Sequence, residues 1–274
     1  MKKTVLIILV LAALFNVTVG QVTISPTSLF FDSKQRFQTL VIINGSNAAQ
    51  EVNMSWQFGY PLTDSQGNIT MVYDDSLRES QYSAADWING FPKRFILEAG
   101  SRQTIRVTVK APRDLEDGTY WSRMIVESAG VSAPIGEVAT SGIRTQINLN
   151  FKQITSVFYK HGDTYADLQV TDITNSVEDQ KLTVIASYQR RGNSPYLGTM
   201  KVKIYDVLDD LVKEQFLFVS AYFDGKQRME IDVSDLPMGS YDVEVSFTGS
   251  RGDIPDSDII SGNEVVSRGS FTKI

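Results

Sequence analysis

Ile143–Phe151 reads I-R-T-Q-I-N-L-N-F, and no other part of the chain alternates apolar and polar side chains as strictly. Successive side chains of a strand point to opposite faces. Ile143, Thr145, Ile147, Leu149 and Phe151 therefore share one face, and Arg144, Gln146, Asn148 and Asn150 the other. This period of two predicts a half-buried antiparallel strand. Covering each of its four large apolar side chains is worth roughly 1.5–3 kcal/mol, so the row is built for a core or for another chain. One β domain is expected before it and a second after it.

On the N-terminal side, short apolar runs are broken by turn residues at the spacing of a sandwich. Val22–Ser25 and Pro26 lead into Leu29-Phe30-Phe31; Phe37–Ile43 stops at Asn44-Gly45-Ser46; Val52–Phe58 is a third strand. Gly59–Ser83 turns polar and reads as a loop or weak hairpin, with a helical turn at Ser83–Trp87. Phe95–Leu97, the turn Glu98-Ala99-Gly100 and Thr104–Val109 restore strand character, and Trp121–Val126 adds another strand.

On the C-terminal side the expected strands are Tyr165–Val170, Lys181–Tyr188, Met200–Tyr205, Gln215–Val219, Arg228–Val233, Asp242–Phe247 and Val265–Phe271, with turns at Arg190–Pro195 and Asp206–Lys213. Asp114–Tyr120 and Asp235–Tyr241 both spell D-L-x-x-G-x-Y, 121 residues apart, and each precedes an apolar strand. That spelling fits the tyrosine corner of immunoglobulin-like sandwiches. The class is all-β: two tandem immunoglobulin-like sandwiches, residues 21–155 and 156–274, behind a leader of residues 1–20.

The leader is read from Lys2 and Lys3, an apolar run from Val5 to Phe15, and small residues ending at Gly20. The run is short for a bilayer span, and no later stretch reaches 18 uncharged apolar residues, so the mature chain is expected to carry no integral membrane segment and to be periplasmic, or else displayed at the cell surface. The absence of cysteine excludes disulfides, thiolate metal sites and lipid attachment through a leading cysteine. The formal charge of −6 falls to −8 once Lys2 and Lys3 are removed, which argues against nucleic acid as a partner.

No catalytic constellation stands out. The lone His161 sits in a turn-like His-Gly-Asp; Asp74, Asp75 and Asp86 beside Trp87 are the best carboxylates for an enzymatic reading; Arg251-Gly252-Asp253 reads as a chance tripeptide. No catalytic residue, metal site or cofactor is expected.

With two tandem sandwiches behind a leader, the chain resembles the PapD-like periplasmic pilus chaperones, from about Val22 to Phe151. Ile24–Asp32 (ISPTSLFFD), Thr39–Asn44 (TLVIIN), Pro92–Val107 (PKRFILEAGSRQTIRV), Tyr120–Val126 (YWSRMIV) and Ile143–Phe151 are similar to that family's successive strands. The resemblance implies a non-enzymatic periplasmic chaperone. It would lend Ile143, Thr145, Ile147, Leu149 and Phe151 to the open groove of secreted, pilin-like subunits, and an outer-membrane usher would be a further partner. It also implies a basic pair that holds the subunit's terminal carboxylate, but the matching positions are Ser28 and Asn148, so Arg144 or Lys152 would have to substitute. The family's aromatic-Arg-Pro ending is replaced by Asn150-Phe151-Lys152-Gln153. Two other readings compete with this one. The chain could be a surface binding module recognising a cell-envelope or adhesin partner through residues 59–87, or the alternating strand could simply pack inside its own sandwich.

Overall fold

In Arg102–Val109 the residues Ile105, Val107 and Val109 are buried while Arg102, Thr104 and Arg106 are exposed. The same alternation, repeated, produces two sandwiches in a computed structural model that describes residues 22–131, 150–260, 262 and 264–273. The strands of the N-terminal part are β1 (Val22–Ser25), β2 (Ser28–Phe31), β3 (Phe37–Asn44), β4 (Gln50–Gln57), β5 (Tyr60–Thr63), β6 (Ile69–Val72), β7 (Ile88–Phe91), β8 (Arg94–Leu97), β9 (Arg102–Val109), β10 (Gly118–Gly130) and β11 (Asn150–His161). The helix α1 (Ser76–Tyr82) and a single 3-10 turn at Ala85–Trp87 lie between β6 and β7. The C-terminal part contains β12 (Ala166–Glu178), β13 (Lys181–Gly192), β14 (Tyr196–Tyr205), β15 (Leu211–Ala221), β16 (Gly225–Asp232), β17 (Gly239–Thr248) and β18 (Val265–Lys273).

The first sandwich faces a β1-β3-β9-β7 sheet with a β2-β11-β10-β4-β8 sheet; the second faces β12-β13-β16 with β15-β14-β17-β18. The chain changes layers at its start, because β1 pairs antiparallel with β3 and β2 then pairs parallel with β11. Leu29, Phe31, Leu40, Ile42, Val52, Ile105, Met124 and Val157 fill the first core. Leu182, Val184, Met200, Val202, Ile231, Val243 and Phe247 fill the second. Asn44, fully buried, closes one end of the first sandwich: its amide donates to Ala48 O, Leu97 O and Glu98 O, and its oxygen accepts from Ser46. Both tyrosine corners form, with Tyr120 Oη donating to Glu116 O at 3.1 Å and Tyr241 Oη to Pro237 O at 2.7 Å.

Three expectations change. A division at 155/156 falls inside β11, which pairs with β10 along its whole length from Asn150 to His161; the first sandwich therefore continues past Thr155. Of the loop or weak hairpin expected at Gly59–Ser83, the hairpin forms as β5–β6, turned at Asp64–Asn68, and the helix α1 is the unexpected addition. The strand expected to end at Val170 continues as β12 through a bulge to Glu178, because Asp179 and Gln180 both adopt positive φ (47° and 64°) and make a two-residue hairpin into β13.

Candidate functional site

β2 covers only Ser156–Tyr159 of β11. On that side of β11, Asn150–Thr155 has no partner strand among the described residues, and there the Gln153 amide donates to Val22 O. Phe151 is half-buried on the face that carries the core residues Val157 and Tyr159; Lys152 and Ile154, 48% exposed, are on the other face. Of the predicted row, Ile143, Thr145, Ile147 and Leu149 lie outside the described residues, as do Arg144 and Asn148; Phe151 alone is described, opposite Ser128. Lys152 is already committed to an exposed ion pair with Glu127 at 2.6 Å.

In the ladder Ser28 stands in register with Ser156, and β11 runs on past Gln153 to Phe158-Tyr159-Lys160-His161. Next in the same row, opposite Ser156, stands Arg123 of β10. Its side chain is buried, at 7% exposure. Its Nε donates to Gly59 O at 3.1 Å, an Nη1 bonds Ser156 Oγ, and the guanidinium lies 5.1 Å from the centre of the Tyr222 ring. Burial pushes the Tyr222 phenol up, while Arg123 and Ser156 pull it back. No carboxylate makes an ion pair with Arg123 among the described residues, although a buried charge is costly unless paired.

This row faces the joint between the sandwiches. Phe30, Phe58, Tyr60, Trp121 and Phe158 from the first meet Leu197, Tyr222, Ile254 and Ile259 from the second in one buried cluster. Trp121 is central, with Tyr82 stacked on it at 4.9 Å and Tyr222 edge-on at 4.9 Å. The 59–87 segment is part of this joint. Tyr60 is buried, Thr63 Oγ1 accepts from Lys226 N at 2.8 Å, and Arg78 sits 3.8 Å over the Phe223 ring.

Three of the other sequence candidates, Asp75, Arg251 and His161, have structural partners. Asp75 caps α1 and accepts from Tyr60 Oη at 2.7 Å; the Arg78 backbone N–H, then Tyr60, hold its carboxyl below the usual range. Arg251 grips Asp253 and Ser220, which makes that tripeptide a local clamp. His161 is partly buried and stacks on Tyr159 at 6.4 Å. Asp74 and Asp86 enter no ion pair, and no cluster of three metal-ligating side chains occurs, among the described residues. No described helix is long and apolar enough to cross a membrane. Sequence reasoning missed Trp121, Arg123 and Tyr222. The available signal was the outward-facing Trp and Arg of YWSRMIV, positions where a solvated strand carries small polar groups.

No family model and no curated protein matches the chain. Among solved structures it is similar to the YadV chaperone (14% identity, 92% of this chain and 99% of that one, TM-score 0.41). It is also similar to the E. coli chaperone DraB (12% identity, 93% and 98%, TM-score 0.39) and to the Salmonella enterica SafA pilin in complex with the SafB chaperone (12% identity, 94% and 98%, TM-score 0.42). These likenesses carry no weight for the site, and the fold rests on the strand pairings described above.

Proposed function

We propose that this chain is a non-enzymatic periplasmic chaperone that lends the free edge of β11, with the alternating row leading into it, to secreted pilin-like subunits. The observation that carries the reading is the edge at Asn150–Thr155, which no strand covers among the described residues and which is directly continuous with the alternation of Ile143–Phe151. An extended client would add backbone hydrogen bonds along that edge, and alternate apolar side chains would fill its groove. The buried Arg123, next in the row to Ser156 and through it to Ser28, takes the place of the basic pair and is the natural contact for a client's terminal carboxylate, because a guanidinium binds a carboxylate bidentately. An outer-membrane usher would receive the loaded complex.

The test is co-purification from the periplasm with a strand-deficient subunit. The double variant Ile147→Asp, Leu149→Asp is expected to lose the complex while the β-type circular dichroism spectrum is unchanged. A complex that survives both substitutions would sink the proposal.

A further inference from the structure

A second concave region lies on the joint, apart from the β11 edge. It is about 520 Å³ in volume, within the range of roughly 300–1,000 Å³ typical of small-molecule sites, and its walls come from both sandwiches. Trp87, Tyr82 and Tyr120 line it, all half-buried, with the Trp87 ring tilted at 53° to Tyr120 and 5.1 Å away. Asp114, Glu116 and Asp117, from the first tyrosine corner, also line it and enter no ion pair among the described residues. Arg190 lines it as well; its Nη1 donates to Gly192 O and Ser194 O, and its buried Nε has no partner. Asn193 fixes this wall, its amide donating to Asp117 O at 3.1 Å and Asp163 O at 2.9 Å.

We infer that this cleft binds an uncharged saccharide ring. Aromatic faces suit the C–H side of a pyranose. Its hydroxyls both donate and accept, so one ring can donate to the carboxylates and accept from the guanidinium. Three carboxylates against one guanidinium repel an anionic ligand. A lysine or arginine side chain would engage the acids only, and would set a second cation against Arg190. Burial already disfavours the charge on Arg190, as its lowered pKa indicates, so a neutral acceptor fits this wall better than another cation.

The test is tryptophan-fluorescence titration of the full chain with maltose and with chitobiose, using sorbitol, sialyllactose and a Lys-Trp-Lys peptide as controls. Saturable binding of at least one neutral disaccharide is expected in the millimolar range, weakened about tenfold or more by Trp87→Ala. Because Trp87 also packs edge-on against Tyr159, 6.1 Å away, Glu116→Gln must cause a matching loss at unchanged melting temperature. The inference is overturned by no saturable response to either disaccharide at about 10 mM, by undiminished binding in both variants, or by a response to the peptide alone.

Discussion

The two D-L-x-x-G-x-Y corners make the same turn and lead into strands with opposite fates. Gly118 and Gly239 have nearly the same backbone angle, φ 153° and 156°, and both tyrosines bond the carbonyl four residues back. After Tyr120, the outward-facing residues of β10 are Trp121 and Arg123, 2% and 7% exposed beneath the second sandwich. After Tyr241, the outward-facing residues of β17 are Asp242, which is exposed, and Glu244, which pairs with Lys203 and Arg268. The corner therefore builds a sandwich edge in either context. The two side chains that follow it decide whether that sheet meets water or another sandwich. The first corner is itself drawn into the joint, where Thr119 N donates to Asn193 O at 3.1 Å and Thr119 Oγ1 lies 2.7 Å from Ser194 Oγ.

The largest expected asymmetry is between the residues just after the tyrosines. Trp121→Ala should cost about 3–5 kcal/mol and split a single calorimetric transition into two; the matching Asp242→Ala should stay within about 0.5 kcal/mol. Equal costs would break the comparison. Alkali should act through Tyr188, whose phenol burial pushes up to about 12. A folded pKa above the unfolded value of about 10 leaves stability intact below pH 10. About 2–3 kcal/mol is then lost as the pH rises from 10 to 12, because the unfolded state ionises first. Urea midpoints across that range should fall, and should fall less in Tyr188→Phe. Gly118→Ala and Gly239→Ala both carry backbone strain of about 1–3 kcal/mol, but a Cβ at Gly118 would also stand 2.9 Å from Asn193 O, where Gly239 has open space. The Gly118 variant should have the lower melting temperature. Smallest are Tyr120→Phe and Tyr241→Phe, each losing one hydrogen bond worth about 0.5–1.5 kcal/mol; the more buried Tyr241 should lose more, as read from chemical denaturation.

Strands were legible wherever one face was wet and the other dry, as in β9 and β17. The helix α1 was not, because none of its residues is buried; Asp75 at its start and the latch of Arg78 onto Phe223 hold it, and neither is a periodic signal. The second half of β12 was missed for a related reason: Thr171–Glu178 is largely polar, and its hairpin turns on Asp179-Gln180 rather than on a glycine. At the site, the extent of β11 was not legible, because the apolar row stops at Phe151 although the strand continues to His161 with β10 on one side and β2 on the other. Contacts between the sandwiches leave little trace in a period of two, so the joint was invisible except through the misplaced richness of Trp121 and Arg123.

The parallel seam of Ser28–Phe31 with Ser156–Tyr159 joins segments more than a hundred residues apart. A chain threaded out in order from its N-terminus must keep β2 waiting until nearly the whole first sandwich has emerged, and so distant a pairing is intrinsically slow. Until then the emerging chain is itself an unfinished sandwich with a vacant slot, the condition it is proposed to relieve in others.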